Sequence, residues 1–284
     1  MNVLEFTLIV GVGGVAAGFL GALTGLGGGV IIIPLLTVGF GVEFHIAAGA
    51  SLVSVIATSS GAASAYVKEG YSNVRVGMFL EIATTVGALS GAFLSTSVPV
   101  NALAIVFGIV LLVSAYLSRP AQEGEKGEGP SDPLAERLRM NASYPTPQGP
   151  RPYTVRRVPF GLVLMYVAGV LSGLLGIGSG AFKVLAMDRV MRLPFKVSTT
   201  TSNFMIGVTA AASAGIYLGH GYIRPGVAMP VMLGVLLGSL LGARVLVDAR
   251  VRVLRLVFVA VIVALALQMI YKGTTGEFAN AIPG

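Results

Sequence analysis

The sequence predicts an all-α membrane protein made of two inverted repeats, each with about five membrane segments and each opening with a glycine-rich, interrupted helical hairpin. Two observations lead to this fold class. The chain of 284 residues is 55% hydrophobic and only 11% charged, which leaves too little charge to cover a soluble domain. In addition, the pentapeptide GLGGG at 25–29 has a near-copy, GIGSG, at 176–180.

The two halves match residue by residue at a constant offset of 151 positions. Gly18 corresponds to Gly169, and Phe44 corresponds to Phe195. Other matched pairs are Leu23 and Leu174, Gly25 and Gly176, Ser51 and Ser202, Thr58 and Thr209, Tyr66 and Tyr217, Tyr71 and Tyr222, Gly87 and Gly238, and Gly91 and Gly242. A run of matches without a gap indicates an internal duplication.

Apolar runs give the membrane segments in chain order. In the first half they are 3–24, 28–41, 46–67, 76–97 and 100–118, and in the second half 159–175, 180–191, 197–218, 225–247 and 253–271. A spanning helix needs ~20 apolar residues, and the second run of each half is shorter than that. We therefore expect the first two runs of each half to form a helical hairpin whose glycine-rich tip ends near the membrane midplane. The predicted domains are a first transmembrane repeat at 1–118, a cytoplasmic linker at 119–158 and a second transmembrane repeat at 159–284.

The stretch 119–158 is rich in proline, glycine and charge. This composition is typical of a flexible linker, and we expect a short helix within it at 133–140.

Basic residues set the orientation, because Lys and Arg concentrate in cytoplasmic loops. With the N-terminus outside and five segments in each half, sixteen of the nineteen Lys and Arg residues fall on the cytoplasmic side. No basic residue precedes Lys68, so the N-terminus does not resemble a secretory signal. Since five is odd, the second repeat is inverted relative to the first. The prediction is a multi-pass protein of the cytoplasmic (inner) membrane with a cytoplasmic linker.

Composition and motifs exclude several function classes. The absence of cysteine excludes thiol redox chemistry and thiolate metal sites. No HExxH motif or nucleophile elbow is present, and His45 and His220 lie far apart in sequence. We therefore expect no enzyme activity, no cofactor and no metal site. We attribute the net charge of +7 to cytoplasmic loops rather than to nucleic-acid binding. The expected partners are a small anion and the lipid bilayer, and a homo-oligomer is compatible with the sequence.

The two glycine clusters predict an anion site. Inverted repeats with interrupted helices are typical of secondary transporters, whose substrate binds near the midplane. Unpaired backbone N–H groups at a helix start attract an anion without any basic side chain. The candidate residues of the two tips are Gly25, Gly27, Gly28, Gly29, Gly176, Gly178, Ser179 and Gly180. The alternative is close helix packing, to which we assign Gly14, Gly18, Gly234, Gly238 and Gly242.

The duplicated motif resembles that of the TauE/SafE sulfite exporter family. It reads GFLGALTGLGGGVIIIPLL followed by AAGASL in the first half, and GVLSGLLGIGSGAFKVLAM followed by STTTSN in the second. The resemblance covers nearly the whole chain apart from the linker. It implies movement of a small sulfur-containing anion, such as sulfite, thiosulfate or an organosulfonate like sulfoacetate, across the cytoplasmic membrane, usually outward. An anion channel and a transporter of a small carboxylate are the alternatives. Ser179 and the triplet Ala181-Phe182-Lys183 depart from the family's usual glycine and aliphatic residues.

Lys183 is the most informative departure, because its counterpart in the first half is Ile32. A lysine in mid-membrane costs ~3 kcal/mol and is by default a candidate functional residue. We expect its ammonium to face the substrate. The alternative is that it snorkels to an interface or pairs with an acid such as Asp188.

Other polar residues extend the candidate site. Ser51, Thr201, Ser202 and Asn203 offer hydroxyl and amide donors to a sulfonate or carboxylate oxygen. Such residues also cap helices, which is the role we expect for Thr199 and Thr200. Ser51, Thr58 and Thr209 are weaker candidates, because hydroxyls in membrane helices often bond to their own backbone.

Glu81 lies in an apolar run and corresponds to Met232. It could relay a proton in a coupled transport cycle. The alternative places it within a turn of the membrane boundary, facing water.

Overall fold

The computed structural model describes residues 3–24, 28–68, 70–117, 130–146, 149–245 and 251–277. Gly25 and Gly27, and the linker residues 119–129, lie outside the described residues. The first half contains α1 (Val3–Thr24), α2 (Gly29–Pro34) with a π-helical turn (Leu35–Gly39), α3 (Phe44–Lys68), α4 (Val74–Ser95) and α5 (Val100–Leu117). The linker contains α6 (Pro133–Arg137) and an antiparallel hairpin of β1 (Ala142–Thr146) and β2 (Gly149–Tyr153). The second half contains α7 (Val158–Leu175), α8 (Gly180–Leu185) with a π-helical turn (Ala186–Val190), α9 (Phe195–Gly219), α10 (Pro225–Val245) and α11 (Val251–Thr275).

The second half repeats the order of elements of the first at the offset found in the sequence. α8 begins 151 residues after α2, and α9 begins 151 residues after α3. Both halves place a π-helical turn at the end of the short second helix. In the first half Pro34 precedes this turn, whereas in the second half Leu185 does.

The helices have the length and surface of membrane segments. Among the described residues, three helices are long and apolar enough to cross a membrane: Val74–Ser95, Val158–Leu175 and Pro225–Gly242. One face of α4 exposes Met78, Ile82 and Phe93, each by more than 60%. Large apolar side chains exposed along one helix face fit contact with lipid. The chain is thus a mostly helical, multi-pass membrane protein.

The two most extensive contacts between the halves join α1 to α10 and α4 to α7. Glycines line both contacts. A Cβ atom added at Gly18 would meet the carbonyl of Val235, and one added at Gly169 would meet the carbonyl of Thr84. The same holds for Gly14, Gly234 and Gly238 against backbone atoms of the opposite helix. The assignment of these glycines to helix packing is confirmed, since only a missing side chain allows such an approach.

α3 and α9 occupy the centre of the molecule. They pack against each other, α3 also packs against α10, and α9 also packs against α4. α5 and α11 form a further pair. The buried apolar cluster at this centre includes Leu52 and Val55 of α3 and Ile206 of α9. The short helices α2 and α8 pack against this scaffold, α2 on α1 and α3 and α8 on α7 and α9.

The described part of the linker is folded. Residues 130–146 and 149–157, here called the linker module, carry the short helix that the sequence predicts, although it ends at Arg137. The Asp132 side chain accepts the N–H groups of Leu134 and Val158, which ties the start of α6 to the start of α7. Arg139 has φ +51°, a left-handed conformation that ends a helix.

The linker module packs against the transmembrane helices instead of extending away as a flexible tether. Its Met140 and Tyr153 are buried in one apolar cluster with Leu80 of α4 and Met205 of α9. Asn73, which caps α4, donates its side-chain amide to the Met140 carbonyl and to the Tyr153 hydroxyl, both at 2.8 Å. The composition of residues 119–158 suggested a flexible segment, because composition does not show the polar and apolar contacts that the linker module makes with other helices.

Candidate functional site

The second glycine cluster forms a sharp break between α7 and α8. Gly176 and Gly178 both have φ +72°, and Ser179 has φ +48°. Left-handed backbone of this kind suits glycine and is costly for other residues. A Cβ atom at Gly176 would meet Ala48 of α3, and one at Gly178 would meet Val55 of α3 and Ile206 of α9. The tip is therefore held tightly between the two central helices.

The first glycine cluster approaches the same place from the other half. Gly28 caps α2, and its carbonyl accepts the N–H groups of Ile31 and Ile32. A Cβ atom at Gly29 would meet the Ser51 hydroxyl and would lie 3.7 Å from the carbonyl oxygen of Ile177. The described part of the first tip thus lies next to the second tip, beside α3.

Two of the predicted substrate ligands bond to the tip backbone. The Ser51 hydroxyl donates to the carbonyl of Gly176 at 2.8 Å, and the Ser202 hydroxyl donates to the carbonyl of Gly180 at 3.2 Å. Ser51 therefore links α3 of the first half to the tip of the second half. Both serines are completely buried, so they position the tip as well as lining its surroundings.

Two other candidates are buried polar residues. The Asn203 side chain is 8% exposed. The Ser179 hydroxyl is buried and has no hydrogen-bond partner among the residues that the structure describes. A buried polar group without a partner costs free energy unless something binds it. The Ser179 hydroxyl can therefore serve a bound ligand.

The three threonine hydroxyls at the start of α9 have structural partners. Thr201 accepts the backbone N–H of Asn73 at 3.0 Å, which connects α9 to the start of α4. Thr199 and Thr200 do not cap α9, because they lie inside it and donate to the carbonyls of Phe195 and Lys196. This bonding pattern is the common one for hydroxyls in apolar helices.

Lys183 is completely buried and lies beside Glu81. Its Nζ is 3.5 Å from Glu81 Oε2 and also donates to the Thr209 hydroxyl. Thr209 in turn donates to Glu81 Oε1, and Thr84 donates to Glu81 Oε2 at 3.0 Å. The four side chains form a connected network across α4, α8 and α9, in which the carboxylate accepts from these two hydroxyls and the ammonium, and also from the Thr85 hydroxyl at 3.5 Å.

This network answers two questions that the sequence left open. The acid next to Lys183 is Glu81, while Asp188 lies 3.6 Å from Arg189. Glu81 is only 7% exposed, so it does not face water at the membrane boundary. Within a low-dielectric interior, a lysine and a glutamate at this distance neutralise each other, and the two hydroxyls satisfy the remaining hydrogen bonds.

The repeat does not reproduce this network among the described residues. The positions that correspond to Lys183, Glu81 and Thr84 are Ile32, Met232 and Val235. Thr58, the counterpart of Thr209, donates to the carbonyl of Val55 in its own helix. The network therefore joins α4 of the first half to α8 and α9 of the second half, whereas α2 and α10 carry apolar side chains at the corresponding positions.

Sequence reasoning missed the partners supplied by distant segments. Thr84 and Asn73 were not among the candidates, although Thr84 lies one helical turn after Glu81, a spacing that brings side chains together. His45 and His220 also converge, since both rings stack on Tyr222 with centroids 4.7 and 5.8 Å from it. No group of three or more metal-ligating side chains occurs within the described ranges.

These features define a class of protein: a multi-pass helical membrane protein that buries an ion pair and free polar groups next to a broken helix. Residues 10–269 match the family described as sulfite exporter TauE/SafE, and the chain belongs to this family.

Curated relatives agree with a role in transport. A Bacillus subtilis (strain 168) protein described as the probable membrane transporter protein YunE is 28% identical over 284 residues, covering 95% of this chain and 99% of the relative. A second protein of the same strain, the probable membrane transporter protein YdhB, is 28% identical over 232 residues, covering 81% and 85%. A probable membrane transporter protein of Sinorhizobium sp, ORF9, is 23% identical over 259 residues, covering 91% and 90%. No solved structure matches the chain. The family and these descriptions support a membrane transporter.

Proposed function

We propose that this chain is a secondary transporter that moves a small sulfur-containing anion across the cytoplasmic membrane by alternating access, with export as its direction. Its substrate is sulfite, thiosulfate or an organosulfonate such as sulfoacetate. The family description supports the substrate class, and the remaining argument comes from the site.

One observation carries the proposal: a glycine-rich tip from each half reaches the same place beside α3. Gly29 of the first half lies against Ser51 and near the Ile177 carbonyl, and Ser51 bonds to Gly176 of the second half. Transporters built from repeats bind their substrate where broken helices of the two halves meet. The helix starts that follow such tips present unpaired N–H groups, which favour an anion.

Side chains near the second tip add to this preference. Ser179 opens α8 and offers a free hydroxyl, and the buried Asn203 on α9 adds an amide. Lys183 lies one turn further along α8 and holds the only positive charge of the described residues that is completely buried. An oxyanion held by backbone N–H groups, a hydroxyl, an amide and an ammonium is bound by charge-assisted hydrogen bonds.

The arrangement of the halves supports alternating access. α1 pairs with α10 in the same way that α7 pairs with α4, because α7 and α10 are the repeat counterparts of α1 and α4. This pairing, in which the first helix of each half packs against the fourth helix of the other half, is expected of two halves related by a twofold axis. The distribution of basic residues then orients that axis in the membrane plane, with the N-terminus outside and the linker in the cytoplasm. Two inverted halves can exchange conformations, which opens the shared site to either side.

Flux measurements in proteoliposomes test the proposal. We expect saturable efflux of thiosulfate or sulfite, competition by organosulfonates, and acceleration when unlabelled anion is present on the opposite side. Gly178→Val should abolish this flux, because the new side chain would enter the tip and meet Val55 and Ile206. Gly215→Val is the matched control, since Gly215 has no neighbour within 4 Å of an added Cβ atom, and it should transport normally.

Each alternative gives a different result. A channel would show flux that does not saturate and is not stimulated by anion on the opposite side. A carboxylate transporter would carry small carboxylates in preference to sulfur anions. Normal flux in the folded Gly178→Val variant would remove the second tip from the transport path.

A further inference from the structure

We infer that this transporter carries one proton with each univalent anion, and that Glu81 holds the proton while Lys183 holds the anion. The inference rests on the proposed function, because it assigns coupling to the same site. It goes beyond that function by naming the coupled ion, the two groups that exchange partners and the charge that crosses the membrane.

To bind an anion, Lys183 must lose its ion pair with Glu81. Its ammonium is completely buried and already paired with the Glu81 carboxylate at 3.5 Å. An anion that reaches Lys183 while Glu81 remains ionised would leave two negative charges beside one positive charge in a site closed to water. Uncompensated charge in such surroundings is strongly disfavoured.

A proton on Glu81 removes this conflict. The proton comes from the aqueous side from which the anion enters and bonds to a carboxylate oxygen of Glu81, which becomes neutral. Lys183 is then free to pair with the anion. In the structure, with Lys183 and Glu81 paired, the Thr209 hydroxyl donates to Glu81 and accepts from Lys183. When Glu81 is protonated, the same hydroxyl can accept the carboxylic O–H instead. On the other side the anion and the proton leave together, and the ion pair forms again.

Only two states of the site are electrically balanced for a univalent anion. One is the empty site with Lys183 and Glu81 paired, and the other is the loaded site with the anion on Lys183 and a proton on Glu81. A protonated but empty site leaves a buried, unpaired ammonium, and a loaded but unprotonated site leaves excess negative charge. Because a change of access is cheapest for a balanced site, the anion and the proton cross together.

The surrounding elements supply no other acid that reaches the pair. Besides the pair itself, the ionisable residues of the packed elements are His45, Tyr66 and Lys68 on α3, Arg75 on α4, Tyr116 on α5, Tyr166 on α7, Asp188 and Arg189 in the turn after α8, and Lys196 and Tyr217 on α9. Arg75 bonds to the Arg139 carbonyl, Lys196 lies over the Tyr71 ring, and Tyr217 bonds to carbonyls of α7. In the described part of the chain, Glu81 is therefore the one carboxylate positioned to exchange a proton for the anion at Lys183.

The test uses univalent anions that carry no proton themselves at neutral pH, namely methanesulfonate and 2-hydroxyethanesulfonate. Wild-type protein is reconstituted in vesicles that contain a pH-sensitive dye. An inward gradient of either anion should acidify the lumen, and an imposed pH gradient should drive accumulation of labelled anion. Anion flux without proton movement would overturn the inference. Absence of saturable flux for every sulfur anion would instead overturn the proposed function, so the two failures are distinguishable.

Two variants separate the roles of the pair. Glu81→Gln keeps an acceptor for Thr209 and Thr84 but cannot gain a proton. It should exchange labelled for unlabelled anion, while its net flux falls by about tenfold or more, because the empty site now holds an unpaired ammonium. Its remaining flux should not acidify the lumen, whereas Glu81→Asp should restore proton movement.

Lys183→Met should lose anion binding as well as flux. The double variant Lys183→Met with Glu81→Met serves as the folding control, since replacing a buried pair by apolar residues is often tolerated. Acidification of the lumen that persists in Glu81→Gln would contradict the assignment of the proton to Glu81. If Glu81→Gln does not fold, the proton measurement on the wild type decides the question alone.

Discussion

Replacing Gly169 by alanine tests the contact that joins α4 to α7. An added Cβ atom would run into the carbonyl oxygen of Thr84, and would lie 2.9 Å from that carbonyl carbon and 3.0 Å from the nitrogen of Ala88. These are backbone atoms, so no side chain can rotate away. Ordinary contact needs about 3.5–4 Å, and the two helices must therefore separate by roughly 1 Å to admit one methyl group.

The cost of this overpacking is about 1–3 kcal/mol. For a chain of this size, that destabilisation corresponds to a fall of several degrees in the unfolding midpoint, at ~2–4 °C per kcal/mol. The assay is the temperature at which half of the purified protein loses its monodisperse peak in detergent. Thr84 donates to Glu81, so the separation should also slow anion flux in vesicles.

Gly215 provides the same substitution without the contact. It lies in α9, is exposed, and has no neighbour within 4 Å of an added Cβ atom. Alanine there should leave the midpoint unchanged or raise it, because alanine favours helix by up to ~1 kcal/mol over glycine. Equal midpoints for Gly169→Ala and Gly215→Ala would refute the argument that glycine sets the distance between α4 and α7.

Two further predictions concern the linker module and the topology. Burial raises the pKa of the Tyr153 phenol to about 12, and the hydrogen bond from Asn73 opposes this shift. The neutral phenol therefore contributes its full stability below about pH 10, and this contribution is lost as the pH rises towards 12. Tyr153→Phe should remove that part of the alkaline loss of thermal stability, and an unchanged alkaline profile would argue against it. Ser97 and Arg192 are both exposed. A single cysteine introduced at position 97 should react with an impermeant maleimide added outside the cell, whereas one introduced at position 192 should react only from the cytoplasm. Labelling of both positions from the same side would show that the repeats are not inverted.

The duplication made much of the scaffold predictable. A constant offset between matched residues located the short second helices in corresponding places, and the spacing of Gly14, Gly18, Gly234 and Gly238 identified a helix contact. Both signals are local or periodic, so a single sequence contains them. The clusters GLGGG and GIGSG were likewise recognisable as breaks, because glycine is a poor residue for continuing a helix.

The side-chain partners within the site were not predictable in the same way. Lys183 stood out because its counterpart is Ile32, but Asp188 was the acid closest to it in sequence, whereas Glu81 is 102 residues away. No periodicity connects α4 with α8. The folded linker module was missed for a related reason: its stability depends on Asn73 and on apolar residues of α4 and α9, none of which affects the composition of the linker itself.

Because the linker module packs at one end of the helical scaffold, the two ends of the scaffold are held together by different contacts. At the end that the linker module covers, the Asn73 side-chain amide donates to the Met140 carbonyl and to the Tyr153 hydroxyl. The backbone N–H of Asn73 donates to the Thr201 hydroxyl of α9. At the opposite end, Tyr222 lies between the rings of His45 and His220, and His45 Nε2 is 3.1 Å from the Ser95 carbonyl oxygen.

Under the alternating access that we propose, opening one end breaks the hydrogen bonds of Asn73, and opening the other end unstacks three rings. The inward-open and outward-open forms of this proposed carrier would then differ in free energy even though the repeats share one architecture. In that case residues that the duplication does not share set the resting population of the empty carrier, and the connecting segment can tune that population without altering the substrate site.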